Sequence, residues 1–263
     1  MKLPFKQKYI FILLFILIMI ISFYFFFIHS NSFSIDSLPT PSQIPIYYIN
    51  LANSKERFHK MNQQCKNQNL QCHRIDAVNG RELDRNEISH LIKTPQMKDT
   101  TIACFLSHQK SLETFLQTNQ PIALILEDDV DISSQFIPKM SQIYNELKEN
   151  KTDFDVLFLG GTRVCGSRFS PSLLKAEQIH RNCNAGAFAY IVSRRGATTL
   201  LNDINWKGIT KMYDHQIRDS FSKMKVFYSN PPLVTHDFEI PSDRLDATYT
   251  PKYIHQSQEI LIK

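Results

Sequence analysis

Ile122-Ala123-Leu124-Ile125-Leu126 runs directly into Glu127-Asp128-Asp129. Few features restrict a fold as much as five consecutive apolar residues closed by three carboxylates. The apolar run reads as a fully buried strand. In an open α/β sheet, ligands bind at the carboxyl ends of the strands, where this triplet falls. Unpaired carboxylates so placed repel one another and resist desolvation. A hard divalent cation, Mg²⁺ or Mn²⁺, resolves that conflict because it takes oxygen ligands. A cation held there could neutralise a diphosphate. The competing explanation is a solvated acidic turn after a core strand, since short acidic motifs recur by chance.

The chain around this stretch alternates strands and helices. Pro45 to Asn50 reads as a first strand. Asn53 and Glu56 have capping-box spacing and open a helix through about Asn69. Cys72 to Ile75 suits a second short strand, and Asn79-Gly80 marks a turn. Residues 81–98 are polar and irregular, with one short helical candidate over Asp84 to Ile92. Ile102, Phe105, Leu106, Leu112, Phe115 and Leu116 recur at helical spacing. Residues 135–149 read as an amphipathic helix, Asp155 to Leu159 as a buried strand, and Ala185 to Val192 as a further strand. Ser193 is placed to cap a helix over 194–203. Asp214 to Phe221 is helical again, and Val226 to Tyr228 and Leu233 to Thr235 are short strands. This order predicts an α/β layered domain with a mainly parallel sheet.

The N-terminal end obeys different rules. Lys2, Lys6 and Lys8 precede 20 uncharged residues, Tyr9 to Ile28. That length crosses a bilayer as a helix, and no small-x-small cleavage site follows. We expect an uncleaved signal anchor over 9–28, with a cleaved signal as the lesser option. No Lys or Arg follows until Lys55, so the positive-inside rule places the basic tail, residues 1–8, in the cytoplasm and the rest across a single-pass membrane span. In a eukaryotic or viral chain that is a Golgi or ER lumen; in a bacterial chain, whose nucleotide sugars are cytosolic, the inner membrane with the opposite orientation. Residues 29–44, rich in Ser, Asn and Pro, read as a stem without a core. Residues 45–263 suit one larger domain.

The net charge of +5 is spread along the chain. No basic block with interleaved aromatics supports nucleic-acid binding. None of the five cysteines forms a C-x-x-C pattern, so zinc-ribbon and dithiol redox chemistry lack support. In an oxidising lumen Cys65–Cys72 or Cys165–Cys183 could be bridged. Cys104 sits in an apolar run and reads as a buried thiol.

Six segments in this order resemble glycosyltransferase family 25, which includes lipopolysaccharide-type and collagen galactosyltransferases. They are Tyr48-Ile49-Asn50-Leu51 with Arg57; Ile75-Asp76-Ala77-Val78-Asn79-Gly80; Cys104-Phe105-Leu106-Ser107-His108; Leu126-Glu127-Asp128-Asp129-Val130; Ala189-Tyr190-Ile191-Val192-Ser193-Arg194-Arg195-Gly196; and Asp214-His215-Gln216. The resemblance spans about residues 45 to 240. It departs where Ile102-Ala103 stands in place of an acidic residue and Gly, and after about Arg244. It implies a GT-A-type fold and a nucleotide-sugar donor, usually a UDP-sugar and commonly UDP-galactose, used with inversion. The acceptor would be a hydroxyl of a glycan, lipooligosaccharide or glycoprotein. A non-catalytic, membrane-tethered carbohydrate-binding relative is the alternative. A metal-dependent phosphotransferase or nuclease would also use an acidic cluster, but no P-loop is present.

With that resemblance, Asp129 is expected to ligate Mn²⁺ or Mg²⁺, Glu127 to support it or bind the ribose, and Asp128 to assist. His236 could supply a third metal ligand. Asn50, Arg57, Asp76 and Arg194 are donor-site candidates. Asp76 could equally be a turn residue and Arg57 a surface one. Arg194 and Arg195 stand at a helix start, where the dipole disfavours cations, which favours a phosphate role. Asp214 is the candidate general base for the acceptor hydroxyl, although a helix cap would explain it too. His108, Tyr190 and Phe188 read as core residues.

Overall fold

Both faces of the central sheet are covered, which is why its middle strands read as unbroken apolar runs. The computed structural model describes residues 14–19, 35–177, 183–237 and 261–262. Every residue of β1 (Ile46–Asn50) is buried, as are the first five of β3 (Ile122–Glu127). Successive side chains serve opposite faces. Tyr48, Leu124 and Leu126 pack with Met61 of α1 (Lys55–Asn67) and with Phe136, Met140 and Leu147 of α3 (Phe136–Glu149). Tyr47 and Ile125 pack with Phe105 and Phe115 of α2 (Asp99–Leu116), Leu200 and Ile204 of α4 (Arg194–Lys207) and Ile217 of α5 (Tyr213–Arg218). Burying each such aliphatic or phenyl group contributes about 1.5–3 kcal/mol.

The other strands are β2 (Cys72–Asp76), β4 (Val130–Ile132), β5 (Val156–Phe158), β6 (Cys165–Ser170), β7 (Leu173–Ala176), β8 (Ala189–Ser193), β9 (Val226–Ser229), β10 (Val234–His236) and β11 (Leu261–Ile262). The main sheet runs β11-β6-β7-β9-β5-β8-β3-β1-β2, and β10 pairs with β4 in a separate ribbon. The sheet is mixed rather than mainly parallel: among the described residues four pairings are parallel and four antiparallel. β8 lies between β3 and β5 and runs against both. β7 runs the same way as β8, since it is antiparallel to β9 and β9 is parallel to β5.

Several expectations change at the edges. The expected membrane span 9–28 falls mostly outside the described residues. Within it, residues 14–19 are helical and Phe15 is 65% exposed. Among the described residues no helix is long and apolar enough to cross a membrane. Part of the expected stem is bound to the body: Ile44 is fully buried, and Ile35 and Leu38 pack against the α1/α3 side of the core. Asp84 to Ile92 forms turns, not a helix, and Ile92 makes an isolated bridge to Ile209. The β6–β7 hairpin was not foreseen. Its alternation is poor, and it is held from outside by a buried acid: Glu146 of α3 accepts hydrogen bonds from Ser170 Oγ at 2.5 Å, Ser172 Oγ at 2.8 Å and Ser172 N at 2.9 Å. Both suggested disulfides are present, Cys65–Cys72 tying α1 to β2 and Cys165–Cys183 anchoring the start of β6.

Candidate functional site

The ends of β1 and β3 lie side by side, Ile49 opposite Glu127. The next residue on each strand points into one polar cluster. Asn50 Nδ2 donates to Asp128 Oδ2 at 2.6 Å, and its Oδ1 accepts Arg74 Nε at 2.7 Å. Arg57, in the first turns of α1, donates to Asp128 Oδ1 at 2.8 Å and lies 3.5 Å from Asp129 Oδ2. A cation near a helix N-terminus opposes the dipole; here the paired carboxylates offset that cost. Arg57 is buried, not a surface residue. Burial pushes the Asp128 carboxyl above its ordinary range, while Asn50 and Arg57 pull it back and Asp129 adds a like charge.

The β4–β10 ribbon adds the last residue of this cluster. It sets His236 opposite Val130, and Asp237 N donates to Asp129 O at 2.8 Å. His236 Nε2 then lies 3.4 Å from Asp129 Oδ2. Asp129 is 4% exposed, and its Oδ1 has no hydrogen-bond partner among the described residues. A buried carboxylate oxygen left open beside an imidazole suits a divalent cation. Asp129 and His236 therefore fit an ion, with Asp128 already committed to Asn50 and Arg57.

Glu127 keeps different company. Its Oε1 is 3.3 Å from His108 Nε2. Its carboxylate, Cys104 Sγ and a ring nitrogen of His108 lie within 4.8 Å of one another, and among the described residues they are the only trio of potential metal ligands so grouped. The expected set of Glu127, Asp129 and His236 is thus split between two neighbouring positions.

The cleft itself has two halves. One is an open groove with about 820 Å³ of free space, solvent included, lined by Arg57, Val78, Asn79, Asp128 and Asp129, among others. The other, also open to solvent, has about 660 Å³ and is lined by Thr162, Gly186, Phe188, Asp214 and His236, among others. Cys104, His108 and Glu127 line both. Asp214 stands in the first turn of α5 with Met212 as the cap residue, so it is not the cap. Its Oδ2 accepts Gly186 N at 3.0 Å and its Oδ1 accepts His215 N at 2.9 Å. Gly186 has φ +83°, which favours glycine, and this turn aims its N–H at the carboxylate.

One candidate stands apart, and another lies at the edge of the cluster, where Asp76 is the register partner of Asn50. Ser193 pairs with Ile122, so Arg194 lies at the opposite end of the sheet from Glu127. Its guanidinium donates to the carbonyls of Thr118 at 2.5 Å and Leu116 at 3.0 Å, closing the C-terminal end of α2. That contact, favoured by the α2 dipole, explains a cation at the start of α4 without a phosphate. Asp76 is exposed at the end of β2 and pairs with Arg74 at 2.6 Å. Ser193 does cap α4, its Oγ accepting Gly196 N at 3.0 Å. Sequence reasoning missed Cys104 as a cleft residue. Its i, i+4 relation to His108 places both on one helix face, which was the available signal.

The family described as glycosyltransferase family 25 (LPS biosynthesis protein) matches residues 43–217. Procollagen galactosyltransferase 1 of Danio rerio is 24% identical over 77% of this chain and 34% of its own length. A probable inactive glycosyltransferase 25 family member 3 of Bos taurus is 24% identical over 59% of this chain and 28% of its own. The chain thus spans about a third or less of these relatives. The solved structure of the glycosyltransferase GlyE of Streptococcus pneumoniae aligns with a TM-score of 0.39 at 8% identity, over 80% of this chain and 57% of that one.

Proposed function

The chain belongs to glycosyltransferase family 25, and from that membership we propose that it moves a hexose, galactose from UDP-galactose, to a hydroxyl of a glycan, lipooligosaccharide or glycoprotein, with inversion at the anomeric carbon. One observation supports this most: two carboxylate stations, Asp129 and Asp214, face into two halves of one cleft joined through Glu127, His108 and Cys104.

In this reading the half lined by Arg57 and the acidic triplet takes the nucleotide. Arg57 and Asn50 fix Asp128, and through it the end of β3. Asp129 and His236 would hold Mn²⁺ or Mg²⁺, with Glu127 facing the sugar or ribose. When bound, such an ion supplies neutralising charge for the leaving diphosphate. In the other half, Asp214 takes the proton of the acceptor hydroxyl at a carboxylate oxygen, while the Gly186 N–H holds that carboxylate in orientation. Holding donor and acceptor against one another where the two halves meet supplies much of the rate advantage through positioning. We further propose that residues 9–28 anchor the chain in a membrane, with the N-terminus cytoplasmic.

The full chain, purified in detergent and incubated with a panel of UDP-sugars, Mn²⁺ and candidate acceptors, tests this. UDP-galactose should give metal-dependent UDP release that rises with acceptor. Carbohydrate binding without release from any nucleotide sugar would replace the enzyme reading with that of a binding relative. Protease protection in sealed vesicles tests the anchor.

A further inference from the structure

Cys104 and His108 lie one helical turn apart on α2, facing Glu127 at the end of β3. We propose that these three residues form a second metal site, distinct from Asp129 and His236, selective for a thiophilic divalent cation such as Zn²⁺.

Ligand chemistry separates the two positions. Thiolate, imidazole and carboxylate together suit zinc, whereas a thiolate is a poor ligand for the harder Mn²⁺ and Mg²⁺. Atoms bound to tetrahedral zinc at about 2.0–2.3 Å sit roughly 3.3–3.6 Å apart. His108 Nε2 and Glu127 Oε1 already lie at 3.3 Å. All three donor atoms fall within 4.8 Å, so only a modest rotamer adjustment closes the set.

The imidazole is also oriented as a metal ligand would be. Zinc-binding histidines commonly give their other ring nitrogen to a fixed partner, which sets the tautomer. Here His108 Nδ1 lies 3.3 Å from Tyr190 OH, which lies 3.0 Å from Tyr213 OH. The ring is held flat against Tyr213, centroids 4.2 Å apart and planes 4° apart. With Nδ1–H donating to Tyr190, the Nε2 lone pair faces Glu127. Cys104 is the one cysteine outside the two disulfides. Three protein ligands leave a fourth position, and all three residues line the cleft. Zinc there would draw Glu127 away from the donor side. The site does not depend on the transferase assignment.

Cobalt(II) is the probe, because a thiolate ligand gives it a near-ultraviolet charge-transfer band. The full chain in detergent should show this band at one equivalent, and Zn²⁺ should abolish it. Asp129→Asn should keep the band and Cys104→Ser should lose it. No band in the parent chain, or a band surviving Cys104→Ser, overturns the proposal. So does cobalt binding that vanishes in Asp129→Asn. Should Cys104→Ser not fold, the unmodified protein decides: Zn²⁺ should slow alkylation of Cys104 at least tenfold, and an unchanged rate overturns the site.

Discussion

His236 Nε2 and Asp129 Oδ2 meet at 3.4 Å, although His236 ends β10 and Asp129 follows β3, more than a hundred residues earlier. The β4–β10 ribbon makes that meeting. It buries Asp129 while leaving its Oδ1 without a hydrogen-bond partner among the described residues.

Asp129→Asn keeps the volume of the side chain and removes its charge. Metal-dependent transfer should fall by about 10²-fold or more, the loss of several kcal/mol of charge stabilisation. The melting temperature should stay within a few degrees of the parent. UDP release titrated against Mn²⁺ reads the effect, and full metal-dependent activity would remove Asp129 from the site.

Asp214→Asn retains an oxygen able to accept from Gly186 N. It should lower kcat by about 10²- to 10⁴-fold, the range of a positioned general base. UDP affinity, measured by calorimetry, should not change. A parental transfer rate would exclude Asp214 as the base.

Arg194→Ala should act on stability alone. Its guanidinium closes the end of α2 through Leu116 and Thr118, and stranding those acceptors should cost about 1–3 kcal/mol. Denaturant unfolding should record that loss while KM for the donor stays constant. A raised KM with unchanged stability would restore the phosphate role.

Glu146 makes stability depend on pH in a defined direction. Burial alone would raise its carboxyl, but donors on Ser170, Ser172 and Gln142 outweigh it and hold the group below the usual range. A depressed folded-state value means stabilisation present above the unfolded value of 4.5 and lost as pH falls through the lower folded value. Glu146→Gln should therefore unfold more easily than the parent at neutral pH. The gap, followed by urea melts, should close as the pH drops below about 4.5. A gap independent of pH would show that packing, not charge, explains the loss.

Much of this arrangement could be read from residue order. The five-residue apolar run of β3 and the acidic triplet located the cleft, because a strand buried on both faces needs no partner information to be recognised. Ser193 as a cap was equally local. What failed was relational. Sheet direction at β8 depends on how the chain returns, which side-chain pattern does not encode. Arg194 looked anomalous at the start of α4 because its partner is the end of α2, a different helix. The β6–β7 hairpin is held by Glu146 from outside, so its own sequence carries little strand signal. Cys104 was hidden by apolar neighbours, although its spacing from His108 was visible.

Cys104, His108 and Glu127 border both halves of the cleft. Ligands that touch these shared side chains from the two halves should sense one another. Occupancy of one compartment should alter affinity in the other without any domain movement, so the two substrates should bind with measurable synergy or antagonism. A bisubstrate inhibitor would have to thread past Glu127, and the length of its linker would report how far apart the two halves hold their ligands.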